Sequence, residues 1–217
     1  MAKIEKGRPL PSHTGLDYYE CFAKIILENT FPKQFGDLKV KDKPDLQSED
    51  KSTGIEVTIA EERDSIEAER LYLQLSDTEP SKRQRKIERI EQCGAKYEHG
   101  MLLTPGIDNF DLVNEAVKRK VEKLQSAGYA SLKEYHLFVF SSIYADNSML
   151  QDEIAYLQNV QVGKYFKKMY VSVPEELYCF NFEKTTYERF AIDSNVQSQY
   201  AIQARQMVEE GEKDDKT

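Results

Sequence analysis

The chain has 217 residues and a formal net charge of −8, from 30 Lys and Arg against 38 Asp and Glu. This acidity argues against a protein that coats nucleic acid through its overall charge. No apolar run reaches the roughly 18 residues of a membrane-spanning helix, and residues 1–14 lack the apolar core of a secretory signal. Three widely spaced cysteines favour reduced thiols in the cytoplasm over a disulfide framework or a zinc ribbon.

Helices alternate with strands after an early hairpin, which predicts an α/β protein with a mixed central sheet flanked by helices. The first helix is expected over residues 15–30, with Thr14 as its N-cap. Extended segments are expected at 38–41 and 44–47, before an alternating strand at 55–59. Further helices are predicted over 61–75, 81–93, 109–125, 148–161 and 196–209. Further strands are predicted over 136–140, 169–173, 177–182 and 187–192. We expect a single domain over residues 1–208 and a disordered acidic tail over 209–217.

Glu20 occupies an unusual place on the first helix. On a helical wheel with Leu16 at zero, Leu27 falls at about 20° and Glu20 at about 40°. Glu20 therefore lies at the edge of the apolar stripe, where an unpaired buried charge would be costly. The position predicts a partner for this carboxylate, although a glutamate whose stem packs while its head reaches water remains an alternative.

The two strands after the first helix bring further carboxylates together. If residues 48–53 form a symmetric turn, Asp45 and Glu56 lie directly opposite one another. Like charges so placed are destabilising, and a divalent cation would convert the repulsion into coordination. Glu20, Asp45 and Glu56 are thus predicted to share one metal site. The alternatives are that Pro44-Asp45 only opens a turn and that Glu56 and Thr58 form a solvent-facing side of the strand.

The order Glu20, Pro44-Asp45 and Glu56-Val57-Thr58 resembles the PD-(D/E)xK nuclease superfamily. In that family, an acid of the first helix, a Pro-Asp and a Glu-x-Lys bind Mg²⁺. The resemblance implies a restriction-endonuclease-like core, a Mg²⁺ or Mn²⁺ cofactor and hydrolysis of phosphodiesters, with DNA as the expected substrate. It also implies that the main-chain carbonyl of Val57 is a metal ligand.

Thr58 departs from this pattern, because it stands where the family usually has lysine. A threonine cannot supply positive charge to the attacking water or to the developing phosphorane, although its hydroxyl could bond a metal-bound water. The same symmetric turn places Lys43 opposite Thr58, which makes Lys43 the predicted substitute for the missing lysine. If Lys43 points elsewhere, the alternative is a catalytically inactive accessory or interaction protein of phage or mobile-element origin on the same fold.

Two basic segments stand out against the acidic average. The first is predicted to hold a phosphate backbone, although a solvated helix face balanced by Glu88 and Glu91 is an equal alternative. It comprises Lys82, Arg83, Arg85, Lys86 and Arg89. The second segment, Lys118–Lys123, is predicted to be only the polar face of its helix.

Overall fold

The computed structural model describes residues 15–75, 78–125 and 128–214, which divide into two compact units. The smaller unit is formed by residues 61–107, and the larger unit by the described residues on either side of it. The range 1–208, which we predicted as one domain, spans both of these units. The predicted cap Thr14 lies outside the described residues.

Seven α-helices and nine strands follow one another in the described part of the chain. In order, they are α1 (Tyr18–Thr30), α2 (Pro32–Phe35), β1 (Leu38–Val40), β2 (Leu46–Ser48), β3 (Thr53–Ile59), α3 (Arg63–Leu73), α4 (Pro80–Gln92), β4 (Lys96–Glu98), β5 (Met101–Leu103), α5 (Asp111–Leu124), β6 (Glu134–Phe140), α6 (Asn147–Asn159), β7 (Lys168–Val173), β8 (Glu176–Asn181), β9 (Thr186–Ala191) and α7 (Ser194–Asp214). None of the described helices is long and apolar enough to span a membrane.

The larger unit is built on a seven-stranded mixed sheet in the order β1-β2-β3-β6-β7-β8-β9. Strands β3, β6 and β7 are parallel, and the strands at both edges are antiparallel to their neighbours. The central strand β6 is buried from His136 to Phe140, which explains its continuous apolar run. The predicted α/β class with a mixed sheet flanked by helices is therefore confirmed.

Helix α1 packs on the sheet and joins it to the C-terminal helix. Its residues Ala23, Ile26 and Leu27 belong to the main core, whereas Cys21 on another face packs with Val208 of α7. The helix begins at Tyr18 and not at residue 15, because the Asp17 side chain caps it. An Asp17 carboxylate oxygen accepts from the backbone N–H groups of Tyr19, at 2.8 Å, and Glu20, at 3.2 Å.

The C-terminal region differs from the prediction of a disordered tail from residue 209. Helix α7 continues to Asp214, and residues 215–217 lie outside the described part. The inner face of α7 is held by burial of Ala204 and Val208 against α1. Packing along this face therefore extends the helix into a segment whose composition alone favours disorder.

The smaller unit combines α3 and α4 with the β4–β5 hairpin. Its separate core is small and consists of Ala68, Leu75, Ile90, Cys93 and Ala95. Helix α4 ends as predicted before Gly94, whose φ of 79° is the left-handed conformation that glycine adopts without a Cβ penalty. All three cysteines of the chain are buried free thiols, as expected.

Candidate functional site

The β2–β3 hairpin has the register predicted from the symmetry of its turn. Leu46 pairs with Ile55 and Gln47 pairs with Gly54, so the same register places Asp45 at the level of Glu56. An oxygen of the Asp45 carboxylate accepts a 2.7 Å hydrogen bond from the backbone N–H of Val57. Asp45 is therefore fixed against β3 directly beside Glu56.

A lysine from helix α5 lies between these two carboxylates. The Nζ atom of Lys120 is 3.1 Å from Oδ2 of Asp45 and 2.6 Å from Oε2 of Glu56. The exposed fraction of the three side chains is small: 12% for Lys120, 10% for Asp45 and zero for Glu56. The ammonium thus offsets the carboxylate repulsion that the sequence predicted.

Burial alone would lower the pKa of Lys120, since it disfavours the charged form. The hydrogen bond and charge of Glu56, together with those of Asp45, outweigh burial and raise the pKa of Lys120 above its ordinary value. Lys120 is therefore held as an ammonium ion within the larger unit.

The prediction that Lys118–Lys123 is only a polar helix face is wrong for Lys120. With Val113 at zero on the wheel, Lys120 falls at about 340°, between Ala116 at about 300° and Val113 itself. Both Val113 and Ala116 are buried, so Lys120 lies on the buried stripe of α5. This wheel position was the available sequence signal, and it was hidden by the neighbouring exposed cations Lys118 and Arg119.

Glu20 lies half-buried at the start of α1, within electrostatic reach of the pair. Burial raises its pKa to about 7, and the charges of Asp45, Asp17 and Glu56 act in the same direction against the opposing effect of Lys120. Glu20 also lines an open cleft of about 490 Å³. The charge of Glu20 is therefore influenced by the charges of Asp45 and Glu56.

Two buried oxygen atoms at this cluster have no hydrogen-bond partner among the described residues. They are Oε1 of Glu56 and the hydroxyl oxygen of Tyr129. Burial and the neighbouring Glu56 carboxylate raise the pKa of Tyr129. Sequence reasoning missed Tyr129, because nothing in the local pattern after α5 points to Glu56. Lys123, which is 44% exposed, lies 3.7 Å from Glu56 at the outer side.

The predicted pairing of Lys43 with Thr58 does not form. Strand β2 begins only at Leu46, and Lys43 has a left-handed φ of 53°, outside the strand conformation. Its carbonyl instead accepts a 3.0 Å hydrogen bond from the Ala130 N–H, and its side chain lies against Gly128. Thr58 is half-buried and pairs with Val139 of β6. The tight turn before β2 thus removes Lys43 from the hairpin register.

The main chain of Val57 is oriented toward Asp45. Its N–H bonds to Asp45, on the side of β3 where strand β2 has ended. The N–H and C=O of one residue point to the same side in a β-strand. The Val57 carbonyl therefore faces the Asp45 side and not strand β6.

The donor set of this cluster has the chemistry that hard divalent cations prefer, namely carboxylate and carbonyl oxygens. The unpartnered buried oxygen of Glu56 fits such a cation as well. Across residues 15–75, 78–125 and 128–214, however, no group of three or more His, Cys, Asp or Glu side chains is arranged to hold a metal ion. In the described arrangement, the ammonium groups of Lys120 and, at 3.7 Å from Glu56, Lys123 offset the charges of Asp45 and Glu56.

The predicted nucleic-acid-binding residues belong to the smaller unit, on helix α4. Most of this set is exposed, and Lys86 is half-buried. The five residues are Lys82, Arg83, Arg85, Lys86 and Arg89.

Comparison with protein-family models, with curated proteins and with solved structures found no match for this chain.

Proposed function

We propose that this chain is a Mg²⁺- or Mn²⁺-dependent nuclease with a restriction-endonuclease-like core, acting on the phosphodiesters of DNA. The observation that carries the proposal is the environment of Glu56. This carboxylate is completely buried beside Asp45 and has one oxygen on Lys120; its other oxygen accepts no hydrogen bond of ordinary geometry, although the Tyr129 hydroxyl lies close enough to interact with Glu56. Leaving an acceptor of a buried carboxylate unused is costly, and a bound ion is one explanation for such a group in a folded protein.

The residues of the cluster divide into two roles. Asp45, Glu56, the Val57 carbonyl and Glu20 would hold the ion. A bound Mg²⁺ or Mn²⁺ supplies a water ligand of lowered pKa and neutralises charge on the phosphate. Lys120 supplies the positive charge that Thr58 cannot, because its ammonium already lies within 3.1 Å of both strand carboxylates.

A non-catalytic accessory protein is the second candidate, and a specific observation favours it. Lys120, together with Lys123 at 3.7 Å from Glu56, offsets the charges of Asp45 and Glu56 without any metal, so ion pairs alone could hold the cluster. In that case the fold would be kept for interaction, and Thr58 would mark the loss of the catalytic lysine.

Calorimetric titration with Mn²⁺ followed by a plasmid-nicking assay separates these functions. We expect the wild type to bind Mn²⁺ and to nick plasmid, and Glu56→Gln to lose both properties because it removes a central ligand. The matched control is Glu69→Gln, an exposed position on α3 of the smaller unit, which should behave as the wild type. Metal binding without nicking would establish the accessory function, and absence of both would end the metal-site proposal.

The role of Lys120 is tested against that of Lys43 in the same nicking assay. Lys120→Gln should lower the cleavage rate by roughly 10²–10³, the usual cost of one preorganised charge at a reacting centre. Lys43→Gln should leave the rate unchanged, since Lys43 lies against Gly128. If Lys43→Gln instead lowers the cleavage rate and Lys120→Gln does not, Lys43 is the catalytic lysine, as the symmetry of the hairpin turn predicted.

A further inference from the structure

Helix α4 of the smaller unit separates its charges onto different sides. With Lys82 at zero on the wheel, Arg85, Lys86 and Arg89 fall at about 300°, 40° and 340°. These four residues, hereafter the α4 stripe, thus lie within an arc of about 100°. The two glutamates of the helix, Glu88 and Glu91, fall outside that arc at about 240° and 180°.

The hydrogen bonds of the α4 stripe leave most of its positive charge uncompensated. Lys86 donates to the side-chain oxygen of Gln74 at 2.8 Å, and Arg89 donates to that of Gln92 at 3.3 Å. Both acceptors are neutral amides. Lys82 forms an ion pair with Glu79 at 3.2 Å, but both side chains are more than 70% exposed, so water and salt screen the pair.

The local charge of α4 is opposite in sign to that of the whole chain. Residues 80–92 contain five basic and two acidic side chains, a formal charge of +3, in a protein of net charge −8. Burial of Ile90 in the core of the smaller unit holds the helix, so the cations are displayed on a fixed scaffold. The stripe extends about 10 Å along the axis, from the 1.5 Å rise per residue.

We propose that the α4 stripe binds the phosphate backbone of duplex DNA without reading its bases, and so makes the smaller unit an anchoring module whose binding is separable from hydrolysis. One DNA strand carries a phosphate about every 3.4 Å along the axis, so the stripe matches about three successive phosphates. Contacts of this kind position a protein but carry no sequence information. The inference names the partner surface of the proposed nuclease and rests on that function.

The test is fluorescence anisotropy of the full chain with a 20-base-pair duplex in EDTA, over a series of salt concentrations. Arg85→Gln/Arg89→Gln removes two exposed cations and keeps good helix formers. We expect the affinity at 50 mM salt to fall by roughly tenfold or more, and the slope of log K against log salt to become shallower by about 2. A duplex of unrelated sequence should bind equally well.

The matched control is Lys164→Gln/Lys184→Gln, which removes the same charge from exposed positions of the larger unit. It should leave affinity and salt slope as in the wild type, and circular dichroism should confirm that both double variants are folded. Equal affinity and slope in the wild type and the α4 variant would overturn the inference. Binding of poly-glutamate as tight as that of DNA would also overturn it, because the partner would then be any polyanion.

This experiment is independent of catalysis, because EDTA removes the metal and only binding is measured. If the α4 variant loses DNA while the wild type never nicks plasmid in Mn²⁺, the inference stands and the proposed nuclease function fails. If the wild type nicks plasmid but the α4 variant binds DNA normally, the nuclease function stands and the inference fails.

Discussion

Helices α4 and α5 carry similar clusters of basic residues, but Lys120 of α5 lies in an environment opposite to that of the exposed cations on α4. On α4 of the smaller unit, Lys82 is 72% exposed, and its ion pair with Glu79 lies in water. On α5 of the larger unit, Lys120 is 12% exposed and bonds two carboxylates. The difference is set by the position of each residue relative to the apolar stripe of its helix, and not by the number of charges.

This comparison shows where a charge matters energetically. An exposed ion pair contributes only about 0–1 kcal/mol, because solvent and salt screen it. A buried pair contributes little net stability when intact, but removal of one partner leaves an uncompensated charge that costs about 3–5 kcal/mol. The cations of α4 are thus available for a partner, whereas Lys120 is committed to Asp45 and Glu56.

The largest expected effect is the loss of Lys120. In EDTA, Lys120→Met should lower the free energy of unfolding by about 3–5 kcal/mol, because Asp45 and Glu56 then remain buried with only the partly exposed Lys123 nearby. Arg85→Met on α4 should change it by about 0.5 kcal/mol or less. Urea unfolding followed by circular dichroism measures both changes. Equal losses of unfolding free energy in the two variants would show that the buried cation of α5 matters no more than the exposed cation of α4.

A second buried charge of the larger unit gives a pH-dependent effect. Glu153 on α6 accepts a 3.3 Å hydrogen bond from Asn114 of α5. Burial raises the pKa of Glu153 to about 7; the Asn114 bond opposes this rise and the Asp111 charge adds to it. Below pH 4.5 both the folded and unfolded states hold the proton, and the folded state suffers no penalty. As the pH rises to about 7, only the unfolded state ionises, so the free energy of unfolding falls by roughly 3 kcal/mol at most.

The variant Glu153→Gln should lose this part of the pH dependence. Its free energy of unfolding should fall less than that of the wild type between pH 4.5 and 8, as measured by urea unfolding at both values. Glu20 contributes in the same window to both proteins, so the difference between the curves isolates Glu153. Glu88→Gln on the exposed surface of α4 is the control and should run parallel to the wild type. If the unfolding free energy of Glu153→Gln changed with pH as that of the wild type does, the raised pKa of Glu153 would not be the cause of this pH dependence.

The smallest of these effects concerns two glycines, one in each unit. A Cβ on Gly54 of β3 would lie 2.4 Å from Cγ of Pro44 and 2.5 Å from Leu132, so the turn that carries Asp45 must shift. We expect Gly54→Ala to cost about 1–3 kcal/mol and to weaken Mn²⁺ binding in calorimetry. Gly106→Ala meets no atom within 4 Å and should be neutral or slightly stabilising. Neutral behaviour of Gly54→Ala would show that the turn does not depend on close packing.

The sequence by itself determined most of the elements of the larger unit and the hairpin that holds two of the acids, but not α2 or the β4–β5 hairpin. The apolar run of β6, the stripe of α1 and the pairing of Leu46 with Ile55 follow from hydrophobic period and turn symmetry, which act over a few residues. Glu20 could be placed at the edge of its stripe for the same reason.

Only the tertiary structure decided which lysine lies between Asp45 and Glu56. Lys120 is 75 residues from Asp45 and 64 residues from Glu56 along the chain, and no local pattern relates them. The parallel pairing of β3 with β6 and the packing of α5 bring Lys120 to Asp45 and Glu56. The turn at Lys43 removes that residue, which the symmetry of the hairpin had favoured. A helical wheel can place a lysine on a buried stripe, but the charge that it meets there depends on which strand lies beneath, and that is set by the fold of the whole unit.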